Sequence, residues 1–284
     1  EILRCLVGSE MCIRDSYTNL QSGALSPYSY IIKQIKKLEI TPGDLGLEPC
    51  SGSLVVTDVK TGDVKAMVTY PSYDNNKMAN KVDSEYYNKK LIQNSSSPLL
   101  NRPTMQEMAP GSTFKVISAV TGMEEGVISP STHIYDHTVF SDIDHPAKCW
   151  STVSHGDLTV SDAIEVSCNY FFYEVGYDLA GGNSYNDATG IEKLSKYASM
   201  YGLDSKTGVE IEESKPTPAT EFPVMAAIGQ SDNNFTTISL ARYVTAVASG
   251  KKYNYQLMNK IVDVDGKTIE QYKPDYEDIS GKLT

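Results

Sequence analysis

The stretch Ala109-Pro110-Gly111-Ser112-Thr113-Phe114-Lys115 constrains this chain more than any other, because it fixes where a helix starts and what its first turn presents. Pro110 and Gly111 break the preceding segment. Val116, Ile117, Ala119 and Val120 then follow at helical spacing, so a helix is predicted to begin near Ser112. Ser112 and Lys115, three residues apart, share one face of it. Burial and the positive helix end both lower a lysine pKa, and a neutral amine there can take the serine proton. Ser112 is thus a candidate nucleophile toward a carbonyl, with Lys115 its candidate base. The same spacing also fits an N-cap serine followed by a surface lysine. A second Ser-x-x-Lys, Ser249 to Lys252, falls in a polar turn after an apolar run and reads as a solvated loop.

A chain of 284 residues holds one large domain or two modest ones, and 40% apolar content fits a folded globular protein. The formal net charge of -11 excludes an extended phosphate-binding surface, so nucleic acid is not an expected partner. No apolar run approaches the roughly 18 residues a membrane span needs. Glu1 to Ser16 lacks caps and periodicity and reads as a translated sequencing-adapter remnant, which leaves residues 17–284 for the fold. Cys50, Cys149 and Cys168 then show neither a disulfide framework nor a metal-type spacing.

Ser26 to Leu38 is patterned as an amphipathic helix entered through Pro27, and a Pro-, Gly- and acid-rich loop covers Thr41 to Gly52. Two strand-like runs, Ser53 to Val59 and Val64 to Tyr70, flank Lys60-Thr61-Gly62-Asp63 as a hairpin. Tyr73 to Pro103 is polar and is expected to wrap the surface. Gly126 to Gly156 is irregular and holds all four histidines, His133, His137, His145 and His155, with Asp142 and Asp144 among them. Its prolines leave those histidines off any dependable helix, so no metal site is expected. Helical spacing returns over Thr159–Gly176, Ile191–Tyr201 and Ile238–Ala248, and a tail hairpin turns at Asp265-Gly266.

Ser167-Cys168-Asn169 falls within the first of those helical stretches. A hydroxyl and an amide are mediocre helix formers, which a proton relay at Ser167 and a positioning amide at Asn169 would explain. An exposed polar helix face explains the spacing equally well. Ser231-Asp232-Asn233 has the same pattern but follows Gly229-Gln230 and reads as a loop. Lys60-Thr61-Gly62 is a hairpin turn, and Lys206-Thr207-Gly208 joins a helix to an extended segment.

Ser112-Thr113-Phe114-Lys115 after Ala109-Pro110-Gly111, with Ser167-Cys168-Asn169 downstream, resembles the first two active-site motifs of penicillin-binding protein transpeptidases. Asp58 to Met67, Tyr70 to Asp74, Asn101-Arg102-Pro103, Cys149-Trp150 with His155-Gly156, Asn169 to Tyr173 and Ile228-Gly229-Gln230 are similar to class B members, nearest the penicillin-binding protein 2 group. The likeness runs from about Tyr17 to Lys282. It implies an α+β fold of the serine beta-lactamase and transpeptidase type, an antiparallel sheet flanked by helices with a helical subdomain. It further implies a D,D-transpeptidase that needs no cofactor or metal, acts on D-Ala-D-Ala stem peptides, is acylated by beta-lactams and works with other cell-wall synthesis proteins. Its place would be the outer face of the bacterial cytoplasmic membrane, with the anchor outside this chain. Ser112 would be the nucleophile, Lys115 the base, Ser167 the shuttle and Asn169 the positioning group, and the Ser112 N–H would form half of an oxyanion hole.

The family's third motif, a Lys-Ser/Thr-Gly strand, is expected after Ile228-Gly229-Gln230, yet Thr284 is reached without it. The expectation is a partial domain, incomplete at its C-terminus, with open sheet edges and slow acylation. Two other readings share these motifs. A serine beta-lactamase would turn penicillin over, though no segment resembles its glutamate-bearing loop. A non-catalytic penicillin sensor or cell-wall scaffold would bind without cross-linking.

Overall fold

The computed structural model describes residues 16–37 and 51–283. Residues 1–15, nearly all of the Glu1–Ser16 stretch read as an adapter remnant, and residues 38–50, which hold most of the loop expected over Thr41 to Gly52, lie outside the described residues. The chain divides into two compact units, residues 1–51 with 73–97 and residues 52–72 with 98–284.

In the first unit, helix α1 (Pro27–Lys36) begins at Pro27 as its pattern predicts, and none of its side chains is buried. The 73–97 stretch contains more helix than its polarity suggests. Asp74 caps a short turn at Asn75–Lys77 by accepting the Asn76 N–H. Asp83 likewise caps a helical segment from Ser84 to Ile92, wound as a π-helix from Tyr87 onward. Acceptor side chains placed at N-cap positions make these helices, and a hydrophobicity pattern does not see them.

In the second unit, β1 (Gly52–Thr57) and β2 (Val64–Tyr70) form the predicted antiparallel hairpin, Gly52 opposite Tyr70. Lys60-Thr61-Gly62 is its turn, closed by Asp58 accepting the Lys60 N–H at 2.8 Å. Among the described residues β1 pairs with β2 alone. One face of β1 packs on helix α6 (Thr237–Ser249), where Ser53 Oγ meets Thr237 Oγ1 at 2.7 Å and Thr57 Oγ1 meets Thr245 Oγ1 at 2.8 Å.

Helices α2 (Lys115–Glu124), α4 (Asn169–Leu179) and α5 (Asp187–Met200) build the main core with Phe114, Ile117, Phe171, Phe172, Leu194 and Phe235. The irregular 126–156 region folds into short ladders: β4 (Ile134–Asp136) pairs with β7 (Gly156–Leu158), and β5 (Val139–Phe140) with β6 (Ala147–Lys148). Farther along, β3 (Glu107–Met108) pairs with β8 (Phe235–Thr236) and so brings the chain ahead of Ser112 against the segment after Gly229. The strand β9 (Lys251–Asn254) pairs with β12 (Asp275–Asp278), and the tail hairpin is β10 (Lys260–Val262) with β11 (Thr268–Gln271). No helix among the described residues is long and apolar enough to cross a membrane.

One predicted helix divides in two. Thr159 to Gly176 is α3 (Val160–Glu165), opened by a Thr159–Asp162 capping box, and then α4. Between them Ser167 takes φ +53°, a left-handed conformation that no α-helix accommodates. Ser167-Cys168-Asn169 is therefore a helix junction, not a helix interior.

Candidate active site

Ser112 lies in a 3₁₀ turn, Gly111–Phe114, that runs directly into α2 at Lys115. Its position is fixed from both sides. The Gly111 N–H donates to the Gly229 carbonyl at 3.0 Å, and the Tyr243 hydroxyl donates to the Thr113 carbonyl at 2.9 Å. Gly229 has φ +73°, and a Cβ there would sit 2.0 Å from the Gly111 oxygen, so only glycine permits the approach.

Ser112 is exposed, while Lys115, one turn on, is only 2% exposed. Its ammonium donates to Asn169 Oδ1 at 2.6 Å, to the Ser167 carbonyl at 2.8 Å and to Ser167 Oγ at 3.1 Å. Ser167 Oγ donates in turn to Ser112 Oγ at 2.9 Å. The four predicted residues thus converge, but the line from Lys115 to Ser112 runs through Ser167 and not by the direct contact that helical spacing suggested. Burial pushes Lys115 down to about 8. At pH 7 about a tenth of such amines are neutral, several hundred times the share of an ordinary lysine.

The left-handed turn at Ser167 is what makes this convergence possible. It aims the Ser167 carbonyl and hydroxyl at the same ammonium and starts α4 with Asn169 facing Lys115. The carbonyl takes a second donor, Trp150 Nε1, at 3.0 Å. Trp150 entered the sequence argument only as part of a resemblance, because nothing local ties an exposed indole to a serine 17 residues on.

Behind the junction, ligand atoms of Asp136, Cys149, His155 and Cys168 all lie within 4.8 Å of one another, with Asp136, Cys149 and Cys168 buried. His155 Nδ1 stands 2.6 Å from Asp136 Oδ2, and Cys149 Sγ accepts the Asn169 N–H at 3.3 Å. Burial pushes the Cys168 thiol up to about 12, so it stays protonated unless a cation displaces the proton. Two thiols, an imidazole and a carboxylate are the donor types of a four-coordinate zinc site. The sequence expectation against a metal weighed the four histidines with Asp142 and Asp144 and found no metal-type spacing among the cysteines. Of the histidines, His133 pairs with Asp157 at 3.0 Å and His137 lies against Tyr135 and Tyr170, whereas His155 joins donors from three other segments. No spacing along the chain reports such a cluster.

The decoys have structural roles. Thr207 N–H is held by Glu213, and the Lys206 carbonyl by the buried Arg242 at 2.7 Å. Asp232 accepts from Thr220, and Asn233 is buried with its amide on the Gln230 carbonyl.

The family model of the penicillin binding protein transpeptidase domain matches residues 52–282. The peptidoglycan D,D-transpeptidase MrdA of Haemophilus influenzae is 30% identical over 244 residues, covering 80% of this chain and 36% of that protein. A solved peptidoglycan synthase complex that coordinates polymerization and crosslinking contains a chain similar to this one at 28% identity. Its TM-score is 0.70, over 81% of this chain and 39% of that one. Penicillin-binding protein A from M. tuberculosis, solved as an imipenem acyl-enzyme, matches in fold with a TM-score of 0.71 at 23% identity, over 82% of this chain and 54% of its own. The chain spans about a third of the length of the Haemophilus influenzae protein. With an α+β fold of the serine beta-lactamase type and this motif order in place, the chain belongs to the penicillin binding protein transpeptidase domain family.

Proposed function

We propose that the protein is a serine D,D-transpeptidase of peptidoglycan synthesis, and that the Ser112–Ser167–Lys115 hydrogen-bond chain carries its chemistry. Ser112 Oγ attacks the penultimate D-Ala carbonyl of a D-Ala-D-Ala stem peptide. Its proton passes through Ser167 Oγ to neutral Lys115 and then returns to the departing D-alanine amine. A stem-peptide amine next attacks the ester and regenerates Ser112, its own proton leaving by the same relay. Asn169 holds Lys115 through its Oδ1, and the Ser112 N–H is one donor to the tetrahedral oxyanion.

The single observation behind this reading is a buried lysine, its pKa lowered, joined to an exposed serine through one hydroxyl. A beta-lactam ring offers the same attack at a strained amide, and the M. tuberculosis relative is described as an imipenem acyl-enzyme. Stem peptides and beta-lactams are accordingly its proposed ligands, other cell-wall synthesis proteins its proposed partners, and the outer face of the cytoplasmic membrane its proposed place.

The test is incubation with benzylpenicillin followed by intact-mass and peptide analysis. A stable adduct on Ser112, absent from Ser112→Ala, supports a transpeptidase. Catalytic turnover of the penicillin supports a beta-lactamase, and no adduct supports a scaffold.

A further inference from the structure

Trp150 is the only tryptophan of the chain and stands 64% exposed, yet it is held on several sides. Its Nε1 donates to the Ser167 carbonyl at 3.0 Å and more weakly to that of Val166 at 3.3 Å. Its ring rests 5.4 Å from the His155 imidazole, which Asp136 fixes in place. Its neighbour Cys149 is buried and bonded to the Asn169 N–H. Solitary exposed aromatics are ordinary on protein surfaces. This one differs because its edge is pinned to the same carbonyl oxygen that the Lys115 ammonium touches, on the residue whose hydroxyl meets Ser112.

An indole left in water gives up much of the free energy that burying so large a ring would contribute. Tryptophan suits positions where one end is hydrogen-bonded and the ring presents an open apolar face, which is the makeup of a ligand cleft. The clamp supplies the preorganisation, since a ring already oriented loses little rotamer freedom when a ligand stacks on it.

We propose that the open face of Trp150 is a wall of the acyl-donor cleft, where it stacks on a planar or apolar group flanking the carbonyl that Ser112 attacks and so sets preference among acyl donors. The kinetic part rests on the transpeptidase reading above; the binding part does not. Because Trp150 is the sole tryptophan, its emission reports the cleft without a label.

Two penicillins that differ only in the side chain decide the matter: benzylpenicillin, which carries a phenylacetyl group, and 6-aminopenicillanic acid, which carries none. Trp150→Leu should slow benzylpenicillin acylation roughly three- to tenfold and 6-aminopenicillanic acid acylation less than about twofold, and Trp150→Phe should restore most of the loss. Equal loss with both penicillins overturns the proposal, since a merely structural role would slow them alike. Emission is titrated in parallel in Ser112→Ala, where only reversible binding occurs. A change with benzylpenicillin and none with 6-aminopenicillanic acid supports the wall even if the wild type forms no adduct, an outcome in which the transpeptidase reading alone fails. Unchanged emission with both ligands overturns the wall.

Discussion

Ser112 to Lys115 and Ser249 to Lys252 are the same four-residue pattern in one chain, and the structure gives them opposite circumstances. The first stands at the front of a helix, with its lysine buried and its serine in water. The second stands at the back of one. Ser249 Oγ donates to the Thr245 carbonyl at 2.7 Å and accepts the Lys251 N–H, closing α6 at Gly250, which takes φ +70°. Lys252 is then already in β9, where it pairs with Glu277 at 2.5 Å. The strand places its amine on a carboxylate of β12 instead of on the serine. What separates the two is the company each lysine keeps. Hydroxyl and amide groups from a distant junction surround the first, and a single acid ties down the second.

The largest expected effect that could break this contrast is on the nucleophile. Ser112→Ala should lower benzylpenicillin acylation by at least about a thousandfold, while Ser249→Ala stays within about twofold, as read by mass spectrometry over time. Comparable losses would mean that both tetrads act. Next comes the base: Lys115→Ala should cost about a hundred- to ten-thousandfold, and Lys252→Ala should leave the rate alone.

The pH dependence sharpens the same point. The reactive form of Lys115 is neutral, so with its pKa at about 8 the acylation rate should climb about tenfold per pH unit below that value and level off above it. A plateau already reached at pH 6.5 would remove the lysine from the role of base.

A smaller effect concerns the frame behind the relay. Zinc at about a hundred times its dissociation constant should stabilise the protein by about 3 kcal/mol in thermal unfolding, and a chelator should reverse this. Cys168→Ser should lose the response, whereas Lys252→Ala should keep it. The smallest effect belongs to the surface pair. Lys252→Ala should change unfolding free energy by less than about 1 kcal/mol, because partly exposed ion pairs contribute little. A larger loss would show that β9 and β12 depend on that pair.

Much of this was legible along the chain because the signals were local. Proline and glycine before Ser112 ended one segment and the apolar spacing after it started another, so the predicted start falls in the 3₁₀ turn, three residues ahead of α2 itself. The β1–β2 hairpin followed from alternation around a Gly turn, and α5 and α6 from periodicity. The single helix drawn over Thr159 to Gly176 failed for a reason equally physical. Its apolar residues keep helical spacing on both sides of Ser167, so periodicity does not register one left-handed residue between them. The helical segments within residues 73–97 went unseen because side-chain caps at Asp74 and Asp83 define them, with few buried apolar positions to mark a face.

The sequence by itself determined the motif order and the placing of a serine at a helix start with a lysine one turn later. Those are properties of a few neighbouring residues, set by backbone preference and helical spacing. Only the tertiary structure decided that Lys115 reaches Ser112 through Ser167, that Trp150 shares the carbonyl Lys115 holds, and that Asp136, Cys149, His155 and Cys168 gather behind them. Each of these joins segments far apart in the chain, and a lysine pKa falls only where such segments close over it and exclude water.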